Sequence, residues 1–506
     1  MTTHISGATI IAVDKEHGTS PFKGDILVEG SRIAHVGAAI PTPAGAQRLD
    51  GANRLVTPGF INAHVHSWEA LFKGRFDNMP LEIWMLYSYP IVGNKPLDPR
   101  LIYLRSMIVA MESLKNGVTC LVDDVIELPS QGMDAIDAVF DAYDDVGIRA
   151  NVSGNIMDRP FIDTIPFSRE YLPQNLVDEV LKLDVATVEG YLKFANAAVK
   201  KHHDRSDRLR YLVAPSGPQR CTESMLKATH DFAREISSAY HIHVLETKVQ
   251  AVTGREFYGK TLVEYIDDLG VLSDISTLAH SIWVTDSDIA RMAKRQSSVA
   301  HNPISNQKLG AGIAPFRKLL DAGVNVALGS DGISSNDTGR LLDVMHVAGL
   351  LHKVTTPNYQ KWPSSSEVIH AATMGGARSV QLHKEIGSIE KGKRADLVLF
   401  DLETISFTPQ NDLRNHLVFC ENGSSIDKVF VNGEIVVENK RLTKVDELAL
   451  VKELRGRYDA FNEHHKGVEA LNRRFEPYFK AIHQRCCSEN IGLNRYSATP
   501  AEWLLS

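Results

Sequence analysis

Two histidines one residue apart, His64 and His66, end the run Gly59-Phe60-Ile61-Asn62-Ala63-His64-Val65-His66. In an extended strand, residues i and i+2 face the same side, so the two imidazoles converge on one point. That spacing suits a divalent transition metal. Other apolar runs also end in polar residues. His241 and His243 stand in His241-Ile242-His243-Val244-Leu245-Glu246, His280 follows Leu278-Ala279, His301 follows Val299-Ala300, and Asp331 follows Leu328-Gly329-Ser330. Any one of these alone reads as a core histidine or a capped strand end; the set reads as a site. Three neutral imidazoles and a carboxylate make a metal cage with room for water, whose pKa such a metal lowers to about 7.

We therefore expect His64, His66, His243 and Asp331 to hold one divalent metal, Zn2+ with Fe2+ as the alternative. Glu246, beside the cage, is placed to carry a proton from water to a leaving nitrogen. Asp331 doubles as acceptor of the proton from the attacking water, and His280 stabilises developing charge. His241 shares a face with His243, and spacing leaves the choice between them open. Only the H-x-x-E relation to Glu246 favours His243.

These residues need elements to position them. Strand patterns cover 60–64, 118–123, 148–153, 211–215, 241–245, 276–280, 298–301 and 324–331. Amphipathic helical patterns cover 101–116, 131–145, 177–201, 222–237, 258–269, 285–293 and 314–322. Eight strands with helical crossovers predict an α/β fold, a parallel (β/α)8 TIM barrel, with the polar strand ends at its C-terminal rim. No G-x-G-x-x-G follows the first strand, which disfavours a doubly wound sheet. Short strand patterns at both chain ends, each too thin for a core, predict one small composite β-sandwich. The expected division is 1–57 and 388–444 for the sandwich, 58–387 for the barrel, and 445–506 for a helical tail. In that tail, Glu463-His464-His465-Lys466 reads as a solvated helix face.

Composition narrows the partners. The net charge of −7 with no basic block argues against nucleic acid as a partner. Five cysteines without C-x-x-C spacing fit free thiols in a reducing compartment. No stretch reaches the roughly 18 consecutive apolar residues of a spanning helix, and no leader pattern opens the chain. A cytoplasmic protein with no membrane partner is expected.

The chain resembles the amidohydrolase superfamily. Within it, the similarity is to the branch of S-adenosylhomocysteine/methylthioadenosine deaminases, 8-oxoguanine deaminases and s-triazine hydrolases (chlorohydrolases). The matching residues are Thr57-Pro58-Gly59 running into His64 and His66, Lys73-Gly74, Trp84, His243 with Glu246-Thr247, and Ala279-His280. Ala300-His301-Asn302-Pro303-Ile304-Ser305-Asn306, Leu328-Gly329-Ser330-Asp331-Gly332 and Gly387-Ser388-Ile389-Glu390-Lys391-Gly392 continue the match over roughly residues 1–440. The resemblance implies the composite sandwich, the barrel, one catalytic metal, a substrate contact at His301 and a homodimer. The fourth strand offers no lysine to bridge two metals, which disfavours the binuclear branches.

Glu69, Trp283, Ser330, Lys248 and Gln250 depart from better-known members of that branch. With Trp84 and His301, we expect Glu69, Trp283, Lys248 and Gln250 to bind substrate. Glu69 suggests a polar or cationic substrate group, against a solvated rim carboxylate. The expected activity is hydrolytic deamination of an aminated N-heterocycle, releasing ammonia. The alternatives are hydrolysis of an exocyclic amide, urea, carbamate or carbon–halogen bond by the same site, or a non-catalytic binding scaffold.

Overall fold

Short apolar runs, each followed by a helix, leave the strands buried on both faces, which is why they lack polar alternation. In the computed structural model, which describes residues 2–497, they are Phe60–His66, Val118–Asp123, Arg149–Ile156, Leu209–Pro215, Tyr240–Val244, Ser276–His280, Ser298–His301 and Asn325–Leu328. Each pairs in parallel with the next. The eighth breaks at Gly329-Ser330 and resumes as Asp331–Gly332, which pairs with Val65 and His66 of the first. That pairing closes the barrel. Asn62 bridges the break: its Oδ1 accepts from Ser330 N at 2.9 Å and its Nδ2 donates to Ser330 Oγ at 2.7 Å. Beneath the rim, Ala63, Ala300 and Ala327 form a small apolar cluster.

The crossover helices follow their local signals. Pro99–Lys115 starts behind Asp98, whose carboxylate caps Arg100 N, and Met133–Val146 ends at left-handed Gly147. Two readings change. The expected helix 177–201 is two helices, Gln174–Val180 and Val188–His202, because Thr187 caps Gly190 N and starts a new one. The expected helix 258–269 is only its second half, Leu262–Asp268. The segment before it forms Lys248–Tyr258, stopped by left-handed Gly259.

The two chain ends join in one nine-stranded mixed sheet. Arg54–Pro58 lies between Thr2–Ile10 and Leu397–Asp401, so the N- and C-terminal parts interlock through their hydrogen bonds. The strand Arg32–Gly37 bonds back to 392–393 through Ile33 and Gly392, and Gly433 packs against the Gly30 carbonyl, where a Cβ would sit 2.0 Å away. The sheet thus folds over a shared core of Ile5, Ile10, Ile26, Val56, Leu397 and Phe430.

The tail is helical at Glu447–Asn472 and Glu476–Ser488. The solvated-face reading of His464-His465 holds only for His464. His465 is buried and donates from Nε2 to the Tyr87 carbonyl at 2.9 Å, because the helix lies against Phe72 and the helix Leu81–Ser88. Phe475, Phe479, Ile482 and Cys486 join a core with Trp68, Trp84 and Phe161. Residues 498–506, the rest of the expected tail, lie outside the described residues. Among the described residues, no helix is long and apolar enough to cross a membrane.

Candidate active site

The first barrel strand delivers two imidazoles whose outer nitrogens are already committed. His66 Nδ1 donates to the Asp124 carbonyl at 2.7 Å, and His64 Nδ1 shares a 2.8 Å hydrogen bond with His241 Nε2. Both Nε2 atoms therefore face inward, each 3.4 Å from Asp331 Oδ1. His243 Nε2 stands 3.2 Å from His66 Nε2. The fifth strand thus splits its two histidines: His243 points into the cage, and His241 orients His64 from behind.

This donor set fits a divalent cation. His64 Nε2 is buried with no hydrogen-bond partner, a costly arrangement unless something else fills its coordination. Ligand atoms of His64, His66 and His243 lie within 4.8 Å of one another, as do those of His64, His280 and Asp331. Burial holds His64 down to about 4 and His243 well below its ordinary value, so both stay neutral, as ligands must. His66 goes the other way, up to about 9: burial opposes its charge, but Asp331, Asp124 and Glu69 outweigh it. Three carboxylates around one point favour positive charge there. Asp331 is held well below its range; burial pushes it up, and His280, His64 and His66 overcome that.

Beside the cage, His280 Nε2 lies 3.7 Å from Glu246 Oε2 and 3.8 Å from Asp331 Oδ2. Its Nδ1 is 2.9 Å from Asn306 Oδ1, which fixes the ring. Burial lifts the Glu246 carboxyl to about 7, with His280 pulling the other way. Such a group gains and loses a proton near neutrality. Leu245, His280, Ser281 and Asp331 all hold left-handed backbone conformations, with φ of 52°, 69°, 48° and 66°. Four such non-glycine residues in one site store strain of about 1–3 kcal/mol each, supported by the surrounding barrel.

The cage opens into a cavity of about 490 Å³, including its mouth, walled by Trp68, Trp84, Met85, Tyr89, Ile126 and Leu309. Glu69, Glu246, Gln250, Arg220 and Ser335 supply its polar groups. Glu69 is no solvated rim carboxylate. It is fully buried on the turn Ser67–Phe72, and its Oε2 accepts from Ser334 N at 3.0 Å and Ser334 Oγ at 2.8 Å. Its Oε1 is unpartnered, and burial raises the carboxyl to about 7. Gly332 makes room for it, since a Cβ there would sit 1.8 Å from Oε2.

Trp84 and Gln250 line the cavity as expected, and Gln250 Oε1 also accepts from Glu246 N at 2.9 Å. Three expected substrate contacts lie elsewhere. Lys248, one residue into its helix, donates to the Cys487 carbonyl at 2.6 Å. Trp283 is core, its indole donating to the Ala311 carbonyl at 2.8 Å. His301 turns its Nε2 to His352 Nε2 at 3.0 Å and lies tilted against Phe316, off the cavity wall. Sequence reasoning missed Asp124, Trp68, Tyr89 and Arg220. Asp124, just past the second strand, had the same strand-end signal as the histidines; Arg220 had none.

A parallel barrel with a His-His-His-Asp cage at its C-terminal rim defines a metal-dependent hydrolase. The sequence profile of the amidohydrolase family matches residues 55–436, and the chain belongs to that family. It is 34% identical over 405 residues to a 5'-deoxyadenosine deaminase of Methanopyrus kandleri, covering 79% of this chain and 85% of that one. To a 5-methylthioadenosine/S-adenosylhomocysteine deaminase of Thermococcus sibiricus it is 33% identical over 417 residues, covering 82% and 90%. Among solved structures, the zinc complex of atrazine chlorohydrolase from Arthrobacter aurescens TC1 superposes with a TM-score of 0.82 at 25% identity, covering 90% of this chain and all of that one. The resemblance read from the motifs is borne out at the level of family, fold and metal-dependent C–N hydrolase.

Proposed function

We propose that the protein is a mononuclear zinc-dependent deaminase that hydrolyses an amino group from a planar N-heterocycle, with adenosine derivatives as the first class to test. The observation that carries this reading is the convergence of Glu246, His280 and Asp331 on one side of the histidine cage. The names of the relatives support the substrate class, and a zinc-bound structural relative supports the metal. Five free cysteines accord with a cytoplasmic setting, and the family resemblance supports a homodimer.

In this reading His64, His66, His243 and Asp331 hold the metal. When bound, the cation supplies a Lewis acid that lowers a water's pKa to about 7. Glu246 takes the proton of the attacking water and returns it to the leaving nitrogen, which departs as ammonia. Asp331 takes the second proton and gives it up to the ring nitrogen beside the reacting carbon, and His280 hydrogen-bonds the oxygen on which charge develops. Trp68 and Trp84 offer flat apolar faces to a ring, and the free Glu69 Oε1 accepts a hydrogen bond from a ring or exocyclic N–H.

Ammonia release by the zinc-loaded enzyme tests this across adenosine, 5'-deoxyadenosine, 5-methylthioadenosine, S-adenosylhomocysteine, aminopterins and amino-s-triazines. Turnover of at least one is expected. Turnover confined to amides, ureas, carbamates or chlorinated triazines would replace deamination by the sister chemistry.

A further inference from the structure

A thiol–imidazole–carboxylate line lies outside the catalytic cage. On the helix Glu476–Ser488, Cys487 and His483 are one turn apart and share a face. Cys487 Sγ is 3.4 Å from His483 Nε2, and His483 Nδ1 is 3.0 Å from Glu82 Oε2. Glu82, buried on the helix Leu81–Ser88, is fixed in turn by Thr247, whose hydroxyl donates to its Oε1 at 2.7 Å. None of these four side chains lines the catalytic cavity. His483 and Cys487 open instead onto a separate groove bordered by Met79, Pro80, Leu309 and Tyr496.

The order of contacts sets the chemistry. Nδ1–H donates to the Glu82 carboxylate, and Nε2–H of the imidazolium this pairing favours points at the sulfur, where it stabilises negative charge. We propose that Cys487 is a nucleophilic thiol, activated by His483 and oriented through Glu82, and a modification site for soft carbon electrophiles that enter this groove. The thiol proton leaves to solvent while the imidazolium holds the charge on sulfur; with an α-halo amide, the sulfur then forms the S–C bond and halide leaves with the C–X pair.

The surroundings agree with a charged His483–Glu82 contact. Burial opposes charge on His483, yet Cys487 and Glu82 lift it to about 10. Glu82 is lowered; burial pushes it up, and His483 and Thr247 more than compensate. Other groups face the pair as well. The Lys248 ammonium sits on the Cys487 carbonyl, the Tyr496 hydroxyl bonds the sulfur, and Glu489 flanks from the helix end. Cys486, next door, is fully buried and its thiol is pushed up, so the two neighbours differ in kind.

Iodoacetamide labelling of the full-length metal-loaded protein at pH 6 and pH 8 tests this, read by peptide mass spectrometry with fragment ions separating Cys487 from Cys486. Exposed Cys420 is the internal reference. An ordinary thiol gains about 75-fold in thiolate over that range. Cys487 should label at least tenfold faster than Cys420 at pH 6 and change less than about threefold by pH 8. In His483→Gln it should recover the steep dependence of an ordinary thiol, with Glu82→Gln intermediate. If Cys487 in the unmodified chain labels no faster than Cys420 at pH 6, or rises as steeply, the relay does not activate it. That comparison needs no variant to fold.

Discussion

His241 and His243 are the same residue type two positions apart, yet the fold gives them unlike work. His243 faces the cage nitrogens, whereas His241 holds His64 from behind at 2.8 Å. Removing a ligand and removing its orienting partner should therefore differ in kind. His243→Ala should leave metal content near zero, while His241→Ala should weaken metal affinity about 10–100-fold and still load at high zinc. Metal analysis across a zinc titration checks this, and the reverse ordering would exchange the two roles. Glu246 touches no cage nitrogen among the described contacts, so Glu246→Gln should keep its zinc. Losing the proton carrier should lower kcat by about 10²–10⁴-fold. Near-normal turnover in that variant would move the proton to another group. At this scale the sequence was most informative where strand period and residue type coincide. His64, His66, His280 and Asp331 sat at strand ends and meet as read. His301 lies in a matching motif and Trp283 and Lys248 lie beside matching ones, yet all three point elsewhere, because a motif fixes a backbone position and not a rotamer.

Elements show where local signals stop. The barrel strands were readable because burial on both faces leaves unbroken apolar runs, and the crossover helices because their caps are local. The seating of the tail was not readable. His465 and Phe479 look alike in sequence to exposed helix residues; only the groove beside Leu81–Ser88, built from distant segments, buries them. The His483–Glu82 pair clamps that contact, and it carries a pH signature. His483 is raised from 6.5 to about 10 in the folded chain, so its contribution is complete below 6.5 and is lost as pH rises through about 10. Glu82 is lowered from 4.5, so its contribution is present above 4.5 and is lost as pH falls through its lowered value. The pair therefore stabilises most between about 4.5 and 6.5. The melting-temperature gap between the unmodified chain and His483→Gln should be widest near pH 5–6 and close towards pH 10. A gap that widens above pH 8 would show that the imidazole is neutral in the folded chain.

At the scale of the whole molecule, the two ends of the barrel have different duties. The C-terminal rim holds strained residues and the candidate metal cage, and the N-terminal end is tied to the composite sheet. Arg149, at the start of the third strand, meets Asp396 through two hydrogen bonds of 2.8 and 3.1 Å, and both residues are buried. Asp396 also accepts from Asn432 N at 2.7 Å, and its carbonyl accepts from Gly59 N at 2.8 Å, just ahead of the first barrel strand. One carboxylate thus pins sheet to barrel where neither chain end could hold alone. Asp396→Ala leaves the Arg149 charge buried and unpaired, which should cost about 3–5 kcal/mol in denaturant unfolding. Arg149→Met with Asp396→Ala should recover part of that loss, since the desolvated charge goes with its partner. Because barrel chemistry is built at the opposite rim, kcat per folded molecule should stay within about twofold in both variants. A fall in kcat comparable to that of Glu246→Gln, at full metal content, would mean that the sheet sets the geometry of the cage as well as the stability of the barrel.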